Sequence, residues 1–220
     1  MVKYRLQFSK EGETKYVSHL DLVRLFTRAF KRAELPLAYS EGFNPHPKMS
    51  IGLPLSVGVT SECEYIEADF HQEVELKELL KRLNRCMPLG VRILAGTQVV
   101  PGVRKLSDIA LAEYRITFAG TPLTQEMLDA FLGRNEIEME KKSKRAVRCV
   151  NIKEDIRLIR LNGEAAGKQS LTMVLSAGSK ANLKPDIVLA AMETYIPGFS
   201  IDDYDIHRSQ IMDEKGQQFI

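Results

Sequence analysis

The sequence predicts an α+β protein made of two tandem ferredoxin-like (βαββαβ) units, the second degenerate, at residues 1–100 and 110–220. Three observations carry that prediction. Over the first hundred residues, alternating segments and helically periodic segments follow one another as strand, helix, two strands, helix, strand. Pro101 and Gly102 then open a polar connector that runs through Ser107 and Asp108. Beyond it a similar order begins again, without any obvious internal repeat of sequence.

Tyr4-Arg5-Leu6-Gln7-Phe8 alternates apolar and polar residues, which predicts a half-buried opening strand before the turn at Gly12. Ser18-His19-Leu20-Asp21 fits a helix start, with Ser18 as N-cap and Asp21 placed to meet the positive end of the helix dipole. Leu22, Leu25, Phe26, Ala29, Phe30 and Ala33 form the core stripe of that helix, Arg24, Arg28, Lys31 and Arg32 gather opposite, and Pro36 ends it. Lys48 to Leu55 and Cys63 to Phe70 predict a hairpin joined through Gly58. Val74 to Cys86 carries Leu76, Leu79, Leu80 and Leu83 at helical spacing, is stopped by Pro88 and Gly90, and is followed by a strand at Val91 to Leu94.

In the second half, Glu113 to Phe118 predicts a strand and Thr124 to Leu132 a short helix. Glu136 to Glu140, Ile156 to Leu161 and Leu171 to Leu175 alternate as strands, with a turn expected near Asn162-Gly163. Pro185 belongs in a first helical turn, ahead of Ile187, Val188, Ala191 and Met192, and Asp205 to Ile211 closes the unit as a strand.

A chain of 220 residues with 44% hydrophobic content can bury one large core or two small ones. Cys63, Cys86 and Cys149 are odd in number and far apart, which argues against a disulfide framework, a zinc site or an iron–sulfur cluster held by this chain. No stretch approaches the roughly 20 apolar residues of a membrane span, and Met1 to Phe8 lacks the apolar run of a signal peptide. The expected setting is therefore reducing and cytoplasmic, with no membrane. No Walker loop, Gly-x-Ser-x-Gly elbow, His-Glu-x-x-His or paired-cysteine motif occurs, so the common motif-bearing hydrolases, NTPases and zinc proteins are disfavoured.

The segment Ala38 to Lys48 is the most distinctive in the chain. Pro45 and Pro47 flank His46, Asn44 precedes them, and Gly42 lies between Glu41 and Phe43, so the backbone must form a shaped loop. Tyr39, Phe43, Asn44, His46 and Lys48 give it two aromatic faces, an amide, a titratable ring and a cation, a mixture suited to gripping a ligand. A second hint is charge. The net charge is only +2, but Glu136 to Lys184 holds eleven Lys or Arg against six Asp or Glu, whereas Asp186 to Ile220 holds two against seven. Lys141, Lys142, Lys144, Arg145 and Arg148 are the densest part, and with Arg24 and Arg28 they are the expected contacts to a phosphate backbone.

His19 and His46 are the candidate catalytic residues, an acid–base pair for metal-independent RNA cleavage. Their meeting requires that Leu37 to Ser40 be the second strand; if Lys48 to Leu55 is that strand, the loop lies at the opposite end of the sheet. A protein–protein adaptor that binds no nucleic acid is a further reading of the same loop.

The run Tyr4 to Ser9, Ser18-His19-Leu20-Asp21-Leu22, Leu35 through Lys48, Leu53-Pro54-Leu55 with Gly58, and Glu64-Tyr65 resembles a radical SAM-associated family of unknown function. Lys184-Pro185-Asp186 and His207-Arg208-Ser209-Gln210 resemble later blocks of it. That family occurs as the C-terminal part of large radical SAM proteins or as a separate chain encoded beside one, often near ribonuclease G-type and ribosomal genes. The resemblance implies an accessory, RNA-binding or substrate-presenting protein. S-adenosylmethionine and the iron–sulfur cluster would then belong to the partner, since this chain lacks a three-cysteine cluster. The tandem architecture is also similar to that of CRISPR repeat-processing endoribonucleases, an analogy of fold.

Overall fold

The computed structural model describes residues 1–142 and 147–220, and the side chains of residues 1–140 and 149–220. The fold is α+β. It divides into unit 1, Met1–Ile109 with Arg208–Ile220, and unit 2, Ala110–His207.

Unit 1 runs β1 (Val2–Lys10), α1 (His19–Arg32), β2 (Met49–Ile51), β3 (Thr60–Phe70), α2 (Leu76–Cys86) and β4 (Val91–Gln98). Its strands lie in the order β4-β1-β3, with β2 also on β3. β1 runs antiparallel to both β3 and β4, and β2 antiparallel to β3, an arrangement compatible with the βαββαβ unit. Alternation decides which face is buried. Tyr4, Leu6 and Phe8 pack with Phe26, Phe30, Ile66, Phe70, Leu79 and Leu83, and Phe8 meets Phe26 edge-on with ring centroids 4.8 Å apart. Ser18 caps α1 as its spacing predicts, its Oγ accepting the Asp21 N–H at 3.2 Å. Ser18 and then Arg24, both bonded to the Asp21 carboxylate, hold it below the usual carboxylate range.

Unit 2 runs β5 (Leu111–Gly120), α3 (Gln125–Leu132), β6 (Glu138–Lys142), β7 (Val147–Asn151), β8 (Ile156–Ala165), β9 (Lys168–Ser176), α4 (Pro185–Tyr195) and β10 (Ile201–Met212), whose last residues belong to unit 1. Its strand order is β10-β5-β9-β8. The departure from a plain βαββαβ unit is an insertion: β6 and β7 form their own two-stranded sheet between α3 and β8. The sequence places a strand at Glu136 to Glu140 but does not reveal β7.

One further expectation is corrected. The turn between β8 and β9 falls at Ala166-Gly167, both in the left-handed region at φ 52° and 75°, the requirement of a two-residue hairpin loop. Gly163, at φ 113°, instead serves a register shift inside β8, so the Asn-Gly pair marks a bulge and not the turn. Beside the expected division at 1–100 and 110–220, Arg208 to Ile220 group with unit 1.

Buried charges explain that return. Arg208 is 2% exposed and donates from Nε and Nη2 to both Glu64 carboxylate oxygens at 2.9 and 2.6 Å, and from Nη2 to the Leu53 carbonyl at 2.7 Å. Arg5, also buried, bonds Glu67 Oε1 and the carbonyls of Arg104 and Phe219. Arg104 reaches Asp213 at 2.8 Å, and the Phe219 ring lies 5.5 Å from both the Arg5 and the Arg104 guanidinium. Burial pushes the Lys10 ammonium below its usual range, although its Nζ donates to the Lys15 and Val17 carbonyls.

Removing one partner of a buried bidentate pair strands the other. Arg208→Met should therefore cost about 3–5 kcal/mol in urea unfolding, and adding Glu64→Leu should recover much of the loss. The Cys63 thiol is pushed up to about 12, first by burial and then by the Glu64 charge. At pH 8 a thiol reagent should label exposed Cys149 readily and Cys63 only on unfolding.

Candidate nucleic-acid interface

The Ala38–Lys48 loop is a pinned hairpin tip. Its two arms meet through the Tyr39–Pro47 bridge, the Ser40 N–H donating to the His46 carbonyl at 2.8 Å, and the Lys48 N–H donating to the Ala38 carbonyl at 2.8 Å. The Ser40 Oγ accepts the His46 N–H at 2.9 Å. Asp69 in β3 clamps both arms: its carbonyl accepts from Ala38 at 2.7 Å and its N–H donates to Lys48 at 2.9 Å. Gly42, at φ 118°, makes the reversal.

Ala38 is buried beneath this frame, whereas residues 41–46 are exposed. Phe43 is wholly solvent-exposed, Tyr39 is 37% exposed and Lys48 is half-buried. Asn44 and His46 stand open beside Phe43. The Phe43 ring is thus open to solvent at the tip of a braced turn.

The second strand is β2, Met49–Ile51; Leu37 and Tyr39 make only isolated bridges. That geometry separates the two histidines. The loop is tied to Asp69 and Met1 lies near Lys48, while α1 begins beside Lys10, whose Nζ bonds the Val17 carbonyl. β1 spans the interval from Val2 to Lys10, which puts His19 and His46 roughly 25 Å apart along nine residues of strand. The expected acid–base pair does not assemble. His19 is exposed at the start of α1.

Arg24 and Arg28 project from the exposed side of α1, Arg24 paired with Asp21 at 2.9 Å. In unit 2 the β6–β7 hairpin is anchored at its base by Ile137 and Ile152, both buried, and by Tyr195, whose hydroxyl bonds the Glu138 carbonyl at 3.0 Å. Its register sets Lys141 opposite Arg148. Lys144 and Arg145, and the side chains of Lys141, Lys142 and Arg148, lie outside the described residues.

The sequence does not reveal an apolar cluster at the other end of unit 1. Tyr16, Leu20, Val57 and Leu89 are 60%, 66%, 59% and 99% exposed. They border one short helical turn, Gly12–Tyr16: Gly58 bonds the Lys15 carbonyl at 2.9 Å and Glu11 bonds the Gly90 carbonyl at 2.7 Å. Leu20 falling off the core stripe of α1 is the one sequence signal of this cluster. Among the described residues no group of three or more His, Cys, Asp or Glu side chains is arranged to hold a metal ion, and no helix is long and apolar enough to cross a membrane.

This α+β chain with its projecting aromatic loop belongs to the family described as "uncharacterized protein conserved in bacteria (DUF2344)", which matches residues 3–185. No curated protein matches its sequence. Among solved structures it is similar to a chain of a Cbf5–Nop10–Gar1 complex, with a TM-score of 0.51 and 10% identity over 96% of this chain and 50% of that one. A chain of an archaeal box H/ACA sRNP Nop10–Cbf5 complex gives a TM-score of 0.44 at 11% identity, over 93% of this chain and 46% of the other. The chain thus spans about half the length of these relatives. The likeness is one of fold.

Because Phe43 packs against nothing, Phe43→Ala should change urea-unfolding stability by less than about 0.5 kcal/mol. Ser40→Ala, which removes the side-chain acceptor bracing the loop, should cost about 1 kcal/mol. A loss above about 2 kcal/mol for Phe43→Ala would show the ring packed instead of free.

Proposed function

We propose that this protein is an accessory factor that binds RNA and presents it to a radical SAM enzyme in RNA modification or maturation. Phe43 carries the reading. A fully exposed ring on a clamped turn, with Asn44, His46 and Lys48 around it, is the kind of platform on which an unpaired base stacks, worth about 1–3 kcal/mol per base. The aromatic face is indifferent to base identity, and the amide, imidazole and ammonium supply hydrogen bonds and charge. Lys141, Lys142, Lys144, Arg145 and Arg148, with Arg24 and Arg28, would add sequence-independent attraction to phosphates.

The partner would supply the radical chemistry together with its S-adenosylmethionine and iron–sulfur cluster. The apolar cluster of Tyr16, Leu20, Val57 and Leu89 favours a protein contact at the end of unit 1 away from the loop. An adaptor that docks protein alone is the second reading, and this same cluster supports it.

RNA titrations across a salt series test the first reading. Phe43→Ala should weaken single-stranded RNA binding about fivefold to a hundredfold with an unchanged salt slope. Neutralising Lys141, Lys142, Lys144, Arg145 and Arg148 should make that slope shallower. No RNA binding at low salt, with partner association lost in a Leu20→Glu/Leu89→Glu variant, would establish the adaptor reading instead.

A further inference from the structure

The sheet of unit 2 has one face buried and one open. Ala112, Tyr114, Ile116 and Phe118 of β5, Leu171, Met173 and Leu175 of β9, and Ile159 of β8 are buried on one side. Register sorts the residues between them into three cross-strand rows on the other. Glu113 lies opposite Val174, and Val174 opposite Leu158. Arg115 lies opposite Thr172, and Thr172 opposite Arg160. Thr117 lies opposite Ser170, and Ser170 opposite Gly163.

The middle row carries a cation at each end, with buried Thr172 between them. Arg115 and Arg160 are both exposed, and among the described residues neither has a carboxylate partner. Arg160 Nε donates only to the Asn162 Oδ1, at 3.3 Å, and the Asn162 amide donates to the Thr172 Oγ1 at 2.9 Å. Two strand spacings set the Arg115 and Arg160 Cα atoms about 10 Å apart, so the two guanidiniums can reach neighbouring phosphates. One row away lie Leu158, 44% exposed, half-buried Val174 and, at the β5 end, half-buried Glu113. One row the other way lie the hydroxyls of Thr117 and Ser170, both half-buried.

We infer that this face is a platform for single-stranded RNA: Arg115 and Arg160, on either side of buried Thr172, take phosphates, the exposed Leu158 takes a base or ribose face, and Thr117 and Ser170 hydrogen-bond 2′-hydroxyls. The inference rests on the RNA reading above and adds a site that uses neither the Tyr39–Lys48 loop nor the β6–β7 hairpin. Successive rows are about 6.8 Å apart along the strands, so the platform covers two or three nucleotides. Neither guanidinium has to break an ion pair to bind, which keeps the cost of engagement low.

The test is a salt-series titration with a fluorescein-labelled mixed-sequence oligoribonucleotide about 12 nucleotides long, and its DNA counterpart. It compares wild type, Arg115→Gln/Arg160→Gln, Arg115→Lys/Arg160→Lys and Phe43→Ala, each with its unfolding midpoint measured. The double glutamine variant should keep its fold and bind about tenfold more weakly at moderate salt. Its slope of log affinity against log salt should be shallower by about 1.4, that is, about 0.7 for each phosphate no longer neutralised. The double lysine variant should retain most of the slope, and DNA should bind more weakly than RNA. Wild-type binding that the glutamine variant reproduces in affinity and slope would overturn this inference and leave the loop reading standing. Equal affinity for DNA would overturn the assignment to RNA. Wild type that binds no oligonucleotide would overturn both readings, whereas dependence on Arg115 and Arg160 but not on Phe43 would keep the platform and remove the loop.

Discussion

The Arg208–Glu64 pair is the constraint on which unit 1 depends. Two charges taken out of water cost several kcal/mol each unless they satisfy one another. Here the guanidinium fork meets both carboxylate oxygens and its spare donor meets the Leu53 carbonyl. Such a pair adds little net stability over an apolar contact of the same shape, but it makes misplacement expensive. A register slip of β10 would leave Arg208 and Glu64 both buried and both unpaired. Beside it Arg5, Glu67, Arg104, Asp213 and the Phe219 ring form a second set of charged and aromatic contacts that holds the tail on unit 1.

Local order was legible in the sequence. Ser18 capping α1, Pro185 opening α4 and the alternation of Tyr4, Leu6 and Phe8 all follow from spacing and side-chain chemistry within a few residues. What could not be read is what distance decides. Arg208 looks like an ordinary strand residue until Glu64, 144 positions earlier, is set beside it. Asn162-Gly163 has the chemistry of both a turn and a bulge, and only pairing with β9 chooses the bulge.

The candidate site divides in the same way. Prolines, glycine and aromatics crowded into eleven residues mark the loop, but that Asp69, 21 positions beyond Lys48, clamps both its arms is decided only by the fold. The histidine pair failed for a topological reason: short β2 begins only at Met49, so the loop sits at the α1 C-terminal end while His19 opens the helix. Arg115 and Arg160 attract no notice in the sequence, being 45 positions apart, and it takes two antiparallel pairings through Thr172 to make them neighbours.

Dividing β10 between two units also sets an order of events during synthesis. Residues 1–109 leave the ribosome long before Arg208 does, and until then Glu64 and Arg5 lack part of their partners. The nascent first unit therefore holds an incomplete sheet edge and uncompensated charge while the whole of unit 2 is made. Unit 2, whose last strand precedes the return, can close first. Completion of unit 1 thus waits until unit 2 has been made, so residues 208–220 act as the checkpoint for residues 1–109.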